Sequence, residues 1–157
     1  MVEQNREPID FGILLGLAYQ SFVDVLRVSL AKQGFDDLGG AYGYVFRAVA
    51  DDRPSQRELA RRLGITDQGM AKIVAEMIER RYVERRADPK DSRVKRLSLG
   101  ERGKAALKAA RRFHAAFERE LGREMGSAAV RKLRQQLQTI ARRGADNDGA
   151  HARLRPM

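Results

Sequence analysis

Two clusters of hydrogen-bonding side chains flank a short apolar stretch in the middle of the chain. Ser55-Gln56-Arg57 lies on one side of Leu59-Ala60 and Leu63-Gly64-Ile65, and Thr66-Asp67-Gln68, with Ala71 and Lys72 one turn further on, lies on the other. Such residues can bind and neutralise a polyanion. A glutamine such as Gln68 pairs with the N6/N7 edge of adenine in bidentate fashion, and a lysine such as Lys72 reaches guanine or a phosphate. Serine, glutamine and arginine at the opening of a helix suit phosphate oxygens. A second basic set follows: Arg85, Arg86, Lys90, Arg93, Lys95 and Arg96, interleaved with Glu84, Asp88 and Asp91. A hairpin tip rich in arginine fits a minor groove, where the potential of a duplex is most negative. The plain alternatives are two ordinary core helices and a solvated charged turn.

These groups need elements to position them. Ser55-Gln56-Arg57-Glu58 has the form of a capping box and opens a helix whose Leu59, Ala60 and Leu63 face inward and which Gly64 ends. Thr66 caps the next helix, residues 66–80, with Met70, Ile73, Val74, Met77 and Ile78 on its buried face. Two short helices joined by a tight glycine turn make a helix-turn-helix, whose second helix has a free face for the major groove. Tyr82 to Arg86 and Val94 to Leu99 read as strands joined by the turn Asp88-Pro89-Lys90-Asp91.

On the N-terminal side, a long helix opens at Asp10, a carboxylate suited to cap it, with Ile9 and Leu14 as a hydrophobic staple. Phe11, Leu15, Ala18, Phe22 and Val25 form its stripe, Gly34 stops it, and the stripe calls for a partner surface, such as another subunit. A second helix spans about Ala41 to Ala50, ended by Asp51, Asp52 and Pro54. On the C-terminal side, a helix from Glu101 to Met125 carries Leu107, Ala110, Phe113, Phe117 and Leu121. Gly126-Ser127 breaks the chain, Ser127 caps a last helix, and Val130, Leu133, Leu137 and Ile140 form a heptad-like seam. The expected organisation is a flexible N-terminus over 1–9, a dimerisation helix and second helix over 10–52, a DNA-binding region over 53–100, dimerisation helices over 101–143 and a disordered tail over 144–157.

The chain has 157 residues, 43% hydrophobic and 33% charged, with a formal net charge of +10. Residues 1–52 carry −4, residues 53–102 +6 and residues 103–157 +8. A basic soluble chain meets a polyanion, and the positive charge begins where the helix-turn-helix begins. There is no cysteine, which excludes disulfides, thiolate zinc and thiol redox sensing, and two histidines make a histidine-rich metal site implausible. No metal and no cofactor are expected. The polar segment Met1 to Pro8 is unlike a signal peptide, and the longest apolar run, Phe11 to Tyr19, is short for a membrane span, so a cytoplasmic protein without membrane contact is expected.

The stretch Gln56 to Gly103 resembles the winged helix of MarR-type transcription regulators. The residues that carry the resemblance are Glu58-Leu59-Ala60, Leu63-Gly64-Ile65, Tyr82-Val83-Glu84-Arg85, Asp88-Pro89-x-Asp91-x-Arg93, Leu97-Ser98-Leu99 and Glu101-x-Gly103. The resemblance implies a mostly α fold with a small β-hairpin wing, the winged helix-turn-helix lying between N- and C-terminal dimerisation helices. It implies that helix 66–80 is the recognition helix, that Arg93 enters the minor groove and that Asp91 orients Arg93. It also implies a homodimer on double-stranded DNA, reading a pseudo-palindromic site with half-sites about one turn, ~10 bp, apart, most simply as a repressor. Two positions depart from the family pattern. Gly100 stands where Thr or Ser usually precedes the helix, and Arg81 stands where glycine often takes a positive φ, so that Arg81 is strained or the turn differs.

Family members often bind small aromatic or anionic effectors, and Tyr19, Phe22, Tyr42 and Phe46 are the candidate lining, with ordinary core packing as the alternative. Gly100-Glu101-Arg102-Gly103-Lys104 lacks the first glycine of a phosphate loop, and Ala105 follows the lysine. His114, between Phe113 and Phe117, reads as a core or interface residue, because no nucleophile or base stands at a helical spacing from it. Asp36-Asp37 and Asp51-Asp52 suit caps and turns. No catalysis is expected. The competing classes are a non-specific architectural DNA-binding protein, a winged helix used for protein contacts, and, with least support, a small-molecule-binding or enzymatic domain.

Overall fold

The structure, a computed structural model, describes residues 8–146. The expectations for residues 1–7 and 147–157 fall outside the described residues. The chain divides into two compact units, one up to Asp37 and one from Leu38.

The first unit is built on α1, Phe11–Ala31. Asp10 occupies the N-cap position, but its side chain makes no capping hydrogen bond, contrary to expectation; its carbonyl oxygen accepts the amide of Leu14 at 2.9 Å. The far end closes as the sequence indicates. Gly34, at φ +85°, donates to Ala31 O, and Phe35 donates to Leu30 O at 3.1 Å, a Schellman closure that a glycine accepts without steric cost. Only Leu30 of α1 is buried, and Phe11, Ile13, Leu14, Leu17, Val25 and Val28 are each about half exposed or more. The 21-residue helix, with mean hydropathy 1.4 over its most apolar window, is long and apolar enough to cross a bilayer. The unbroken run ending at Tyr19 understates this, because Gln20, Asp24 and Arg27 interrupt the run without ending the helix.

The second unit follows the order α2 (Tyr42–Asp52), α3 (Gln56–Leu63), α4 (Asp67–Glu79), β1 (Val83–Ala87), β2 (Lys95–Leu99), α5 (Glu101–Met125) and α6 (Ser127–Asp146). Helix α2 runs through Asp51 and Asp52, which were expected to stop it. Arg53, in the left-handed region at φ 50°, ends it one residue before Pro54. Helix α6 reaches Asp146, past the expected end at 143, and Gly126 rather than Ser127 provides its first carbonyl, to Val130 at 3.2 Å.

The core gathers where α2, α3, α4, the hairpin and the start of α5 meet. Leu59, Met70, Val74, Met77, Tyr82, Val83 and Leu97 are almost fully buried, with Val45, Phe46 and Val49 from α2 and Ala106 and Ala109 from α5. Each large apolar side chain so buried contributes about 1.5–3 kcal/mol before entropy is counted. Small residues let α5 approach closely. A Cβ on Gly103 would stand 2.0 Å from the carbonyl oxygen of Tyr82, and one on Gly100 would stand 2.6 Å from that of Arg81.

Candidate nucleic-acid interface

The helix-turn-helix is set by its caps. Ser55 Oγ accepts the amide of Glu58 at 3.3 Å while Glu58 Oε2 accepts the amide of Ser55 at 2.8 Å, so the predicted capping box is complete. Gly64, at φ 64°, closes α3, with Ile65 donating to Ala60 O at 3.0 Å. Thr66 Oγ1 accepts the amide of Gly69 at 3.1 Å and starts α4. On the outer side of α4, Thr66, Asp67, Gln68 and Lys72 are exposed and Ala71 is half-buried beside them. Arg57 lies 3.9 Å from Asp67 across the turn, an open pair worth little in water. Gln56 is less available than its sequence suggests, because its Oε1 accepts a hydrogen bond from Arg85 of β1 at 2.7 Å. Ser55 is half-buried, with its hydroxyl committed to the cap.

The wing is antiparallel, with Val83 opposite Leu99, Arg85 opposite Leu97 and Ala87 opposite Lys95. Its strands begin one residue later than expected, because Tyr82 and Val94 belong to the flanking turns. Asp88 Oδ1 accepts the amide of Lys90 at 2.7 Å, and Asp91 Oδ1 accepts both the amide and Nε of Arg93, at 3.0 and 3.2 Å. The Arg93 side chain is 90% exposed, so Asp91 orients the guanidinium without covering it. Lys90 is exposed at the tip, Lys95 Nζ donates to Ser92 O, and Arg86 is paired with Glu84 at 2.8 Å.

Arg96 does what the residue-by-residue reading did not foresee. Its Nε donates to Asp88 Oδ2 and a terminal nitrogen donates to Glu58 Oε2, both at 2.7 Å, tying the wing to the first turn of α3. A backbone bond from Leu97 N to Pro54 O at 3.0 Å runs beside this tie. Hydrogen bonding from Arg96 is the first cause holding the Asp88 carboxyl below its ordinary range; the Ser55 amide is the first cause for Glu58, with Arg96 adding to it. Glu58 lies 38 residues from Arg96, so no local spacing announces the contact.

Of the four candidate effector residues, two lie in each compact unit. Tyr42 and Phe46 are buried core residues, edge-on to Tyr82 at 5.9 and 5.5 Å between centroids, and the Tyr42 hydroxyl accepts from Arg80 at 2.9 Å. Tyr19 and Phe22 lie on α1, in the other unit. His114 is exposed on α5, edge-on to Phe113, which removes the core reading. Arg81 takes φ 60°, so of the two alternatives for this position the strained one holds. Gly100 starts α5 without a side-chain cap.

Residues 36–94 match the profile of the MarR family. The chain is 28% identical over 125 residues to the exopolysaccharide II synthesis transcriptional activator ExpG of Rhizobium meliloti, covering 80% of this chain and 63% of that protein. It therefore spans less than two thirds of that relative. Among solved structures, FabT of Streptococcus pneumoniae in complex with DNA superposes with a TM-score of 0.69 at 18% identity, covering 87% of this chain and 99% of that one. The transcriptional repressor CouR bound to a 23-mer DNA duplex gives 0.65 at 23% identity, covering 83% and 92%. The likeness extends past the winged helix to most of the chain as fold. Residues 36–94 are thus similar to the MarR family, and the likeness to these solved structures is one of fold.

Proposed function

We propose that the protein is a transcription regulator that binds a pseudo-palindromic duplex site as a homodimer, acting in the cytoplasm and without catalysis. The observation that carries this reading is the exposed set Thr66, Asp67, Gln68 and Lys72 on α4, together with an arginine, Arg93, held out from the wing by Asp91. In this reading α4 enters the major groove and Arg93 the minor groove, while Ser55, Arg57, Arg86, Lys90 and Lys95 hold the backbone. The homodimer is supported by apolar surface that a lone subunit leaves in water: the α1 residues named above, and Leu133, Leu137 and Ile140 along α6, 38–44% exposed. A second copy covers both, which also accounts for the apolar length of α1 without a bilayer.

Repression by occlusion of a promoter is the simplest mode. Activation is the second reading, favoured by the relative named as a transcriptional activator. A small aromatic or anionic effector that alters the spacing of the two recognition helices is the regulatory part of the proposal. The test is selection of sites from a random duplex library with purified protein at near-physiological salt. Enrichment of an inverted repeat with half-sites about one turn apart is expected. Recovery of DNA without shared sequence would favour an architectural role, and recovery of none would favour protein contacts.

A further inference from the structure

The largest share of positive charge, +8, lies beyond the winged helix, in residues 103–157. Along α5, Lys104, Lys108, Arg111, Arg112, Arg119 and Arg123 are all exposed. At about 100° per residue these six fall within an arc of roughly 120°, on the side away from Ala106, Ala109, Phe113 and Phe117. The stripe runs about 29 Å from Lys104 to Arg123, close to the ~34 Å of one duplex turn. It starts five residues after Leu99, which closes the base of the hairpin opposite Val83.

The arrangement is not that of an ordinary solvated helix face, where opposite charges at i, i+4 support one another. Lys104–Lys108, Lys108–Arg111 and Arg119–Arg123 are like-charged neighbours, and each opposes the helix. Glu101, the acid inside the arc, is paired with Lys104 at 2.5 Å, and Glu118 at its edge is paired with Arg134 of α6. A dense anion lying along the helix relieves the repulsion. A second copy of the chain packed on this face does not, because desolvating a row of cations opposes it.

We propose that the outer face of α5 is a second contact surface for duplex DNA, holding the phosphate backbone of the segment that flanks the site gripped by the winged helix. The proposal rests on the DNA-binding reading above. The full-length protein and the triple variant Lys108→Gln, Arg111→Gln, Arg119→Gln are compared on a selected site in a duplex of about 25 bp and at the centre of one of about 60 bp, across a salt series. On the short duplex the two proteins bind alike. On the long duplex the parent's log–log salt slope is steeper, and the variant's is shallower than the parent's by roughly 2–3, at ~0.9 per phosphate contact. The variant's melting temperature equals or exceeds the parent's, since repulsion is removed, which separates lost contact from lost fold. Equal slopes for parent and variant on both duplexes overturn the α5 surface and leave the winged-helix reading standing. A parent that binds neither duplex overturns both.

Discussion

The carbonyl oxygen of Arg81 occupies the space that a side chain at Gly100 would need, 2.6 Å from where a Cβ would lie. These are the two positions at which the chain departs from the family pattern, and they touch. Arg81 closes α4 in a left-handed conformation, with its amide on Ile78 O at 2.9 Å and the next amide, Tyr82, on Met77 O at 2.8 Å. The absence of a capping hydroxyl at position 100 is thereby explained by sterics.

Gly100→Ala should destabilise the protein by about 1–3 kcal/mol, because a backbone atom must move. Gly103→Ala, with 2.0 Å to a carbonyl, should cost more. Arg81→Gly should stabilise by about 1 kcal/mol by relieving the positive φ. Urea unfolding of the three variants checks the order; a destabilised Arg81→Gly would show that the arginine side chain outweighs its strained backbone.

Arg93→Ala should weaken duplex binding strongly and reduce the salt slope by about one. Gln68→Ala should relax preference at one base pair, at a cost of about 1–3 kcal/mol on the preferred site. Fluorescence anisotropy across a salt series and a repeat site selection measure the two effects. Variants that bind like the parent would remove these residues from the groove.

Arg96→Ala should weaken binding by freeing the wing from α3. The loss should be less than additive with that of Arg93→Ala, since Arg96 acts by presenting the tip. Arg96→Lys should restore binding only in part, because an ammonium lacks the fork that spans Asp88 and Glu58. Strict additivity in the double-mutant cycle would make Arg96 an independent DNA contact.

Acid should loosen the same junction. Glu58 and Asp88 are held below their ordinary values of 4.5 and 3.8, so folding favours their charged forms. Their contribution is fully present above those values and is lost as pH falls through the depressed ones. Thermal melts from about pH 5 to about pH 3 should show a steeper fall for the parent than for Glu58→Gln. Parallel curves would mean that Glu58 contributes no linkage.

Leu137→Glu should give a folded monomer if the exposed seam on α6 is the proposed subunit contact, since it would place a charge there. Sedimentation in detergent-free buffer reads the change directly. A parent that already sediments as a monomer would remove the dimer.

Local signals made much of this legible in sequence. The capping box at Ser55, the glycine at 64 and the Asp-Pro turn each need only a few adjacent residues, and the helix-turn-helix and hairpin follow from them. What escaped depends on distance or on crowding. Arg96 finds its partners 8 and 38 residues away, and Gln56 is claimed by Arg85, 29 residues on. Asp10 and Ser127 have the residue types of caps, yet the first makes no side-chain capping bond and the second is the first residue of its helix. Tyr42 and Phe46 have the aromatic character of a binding site and serve as core, a choice that composition does not make.

A single oxygen, Glu58 Oε2, accepts both the Ser55 amide that begins α3 and the Arg96 guanidinium that anchors the wing. Fraying of the helix start and release of the wing therefore share one event. Amide hydrogens at Ser55, which the carboxylate holds, and at Leu97, bonded to Pro54 O, belong to one cooperative opening unit and should exchange with solvent deuterium at a common free energy.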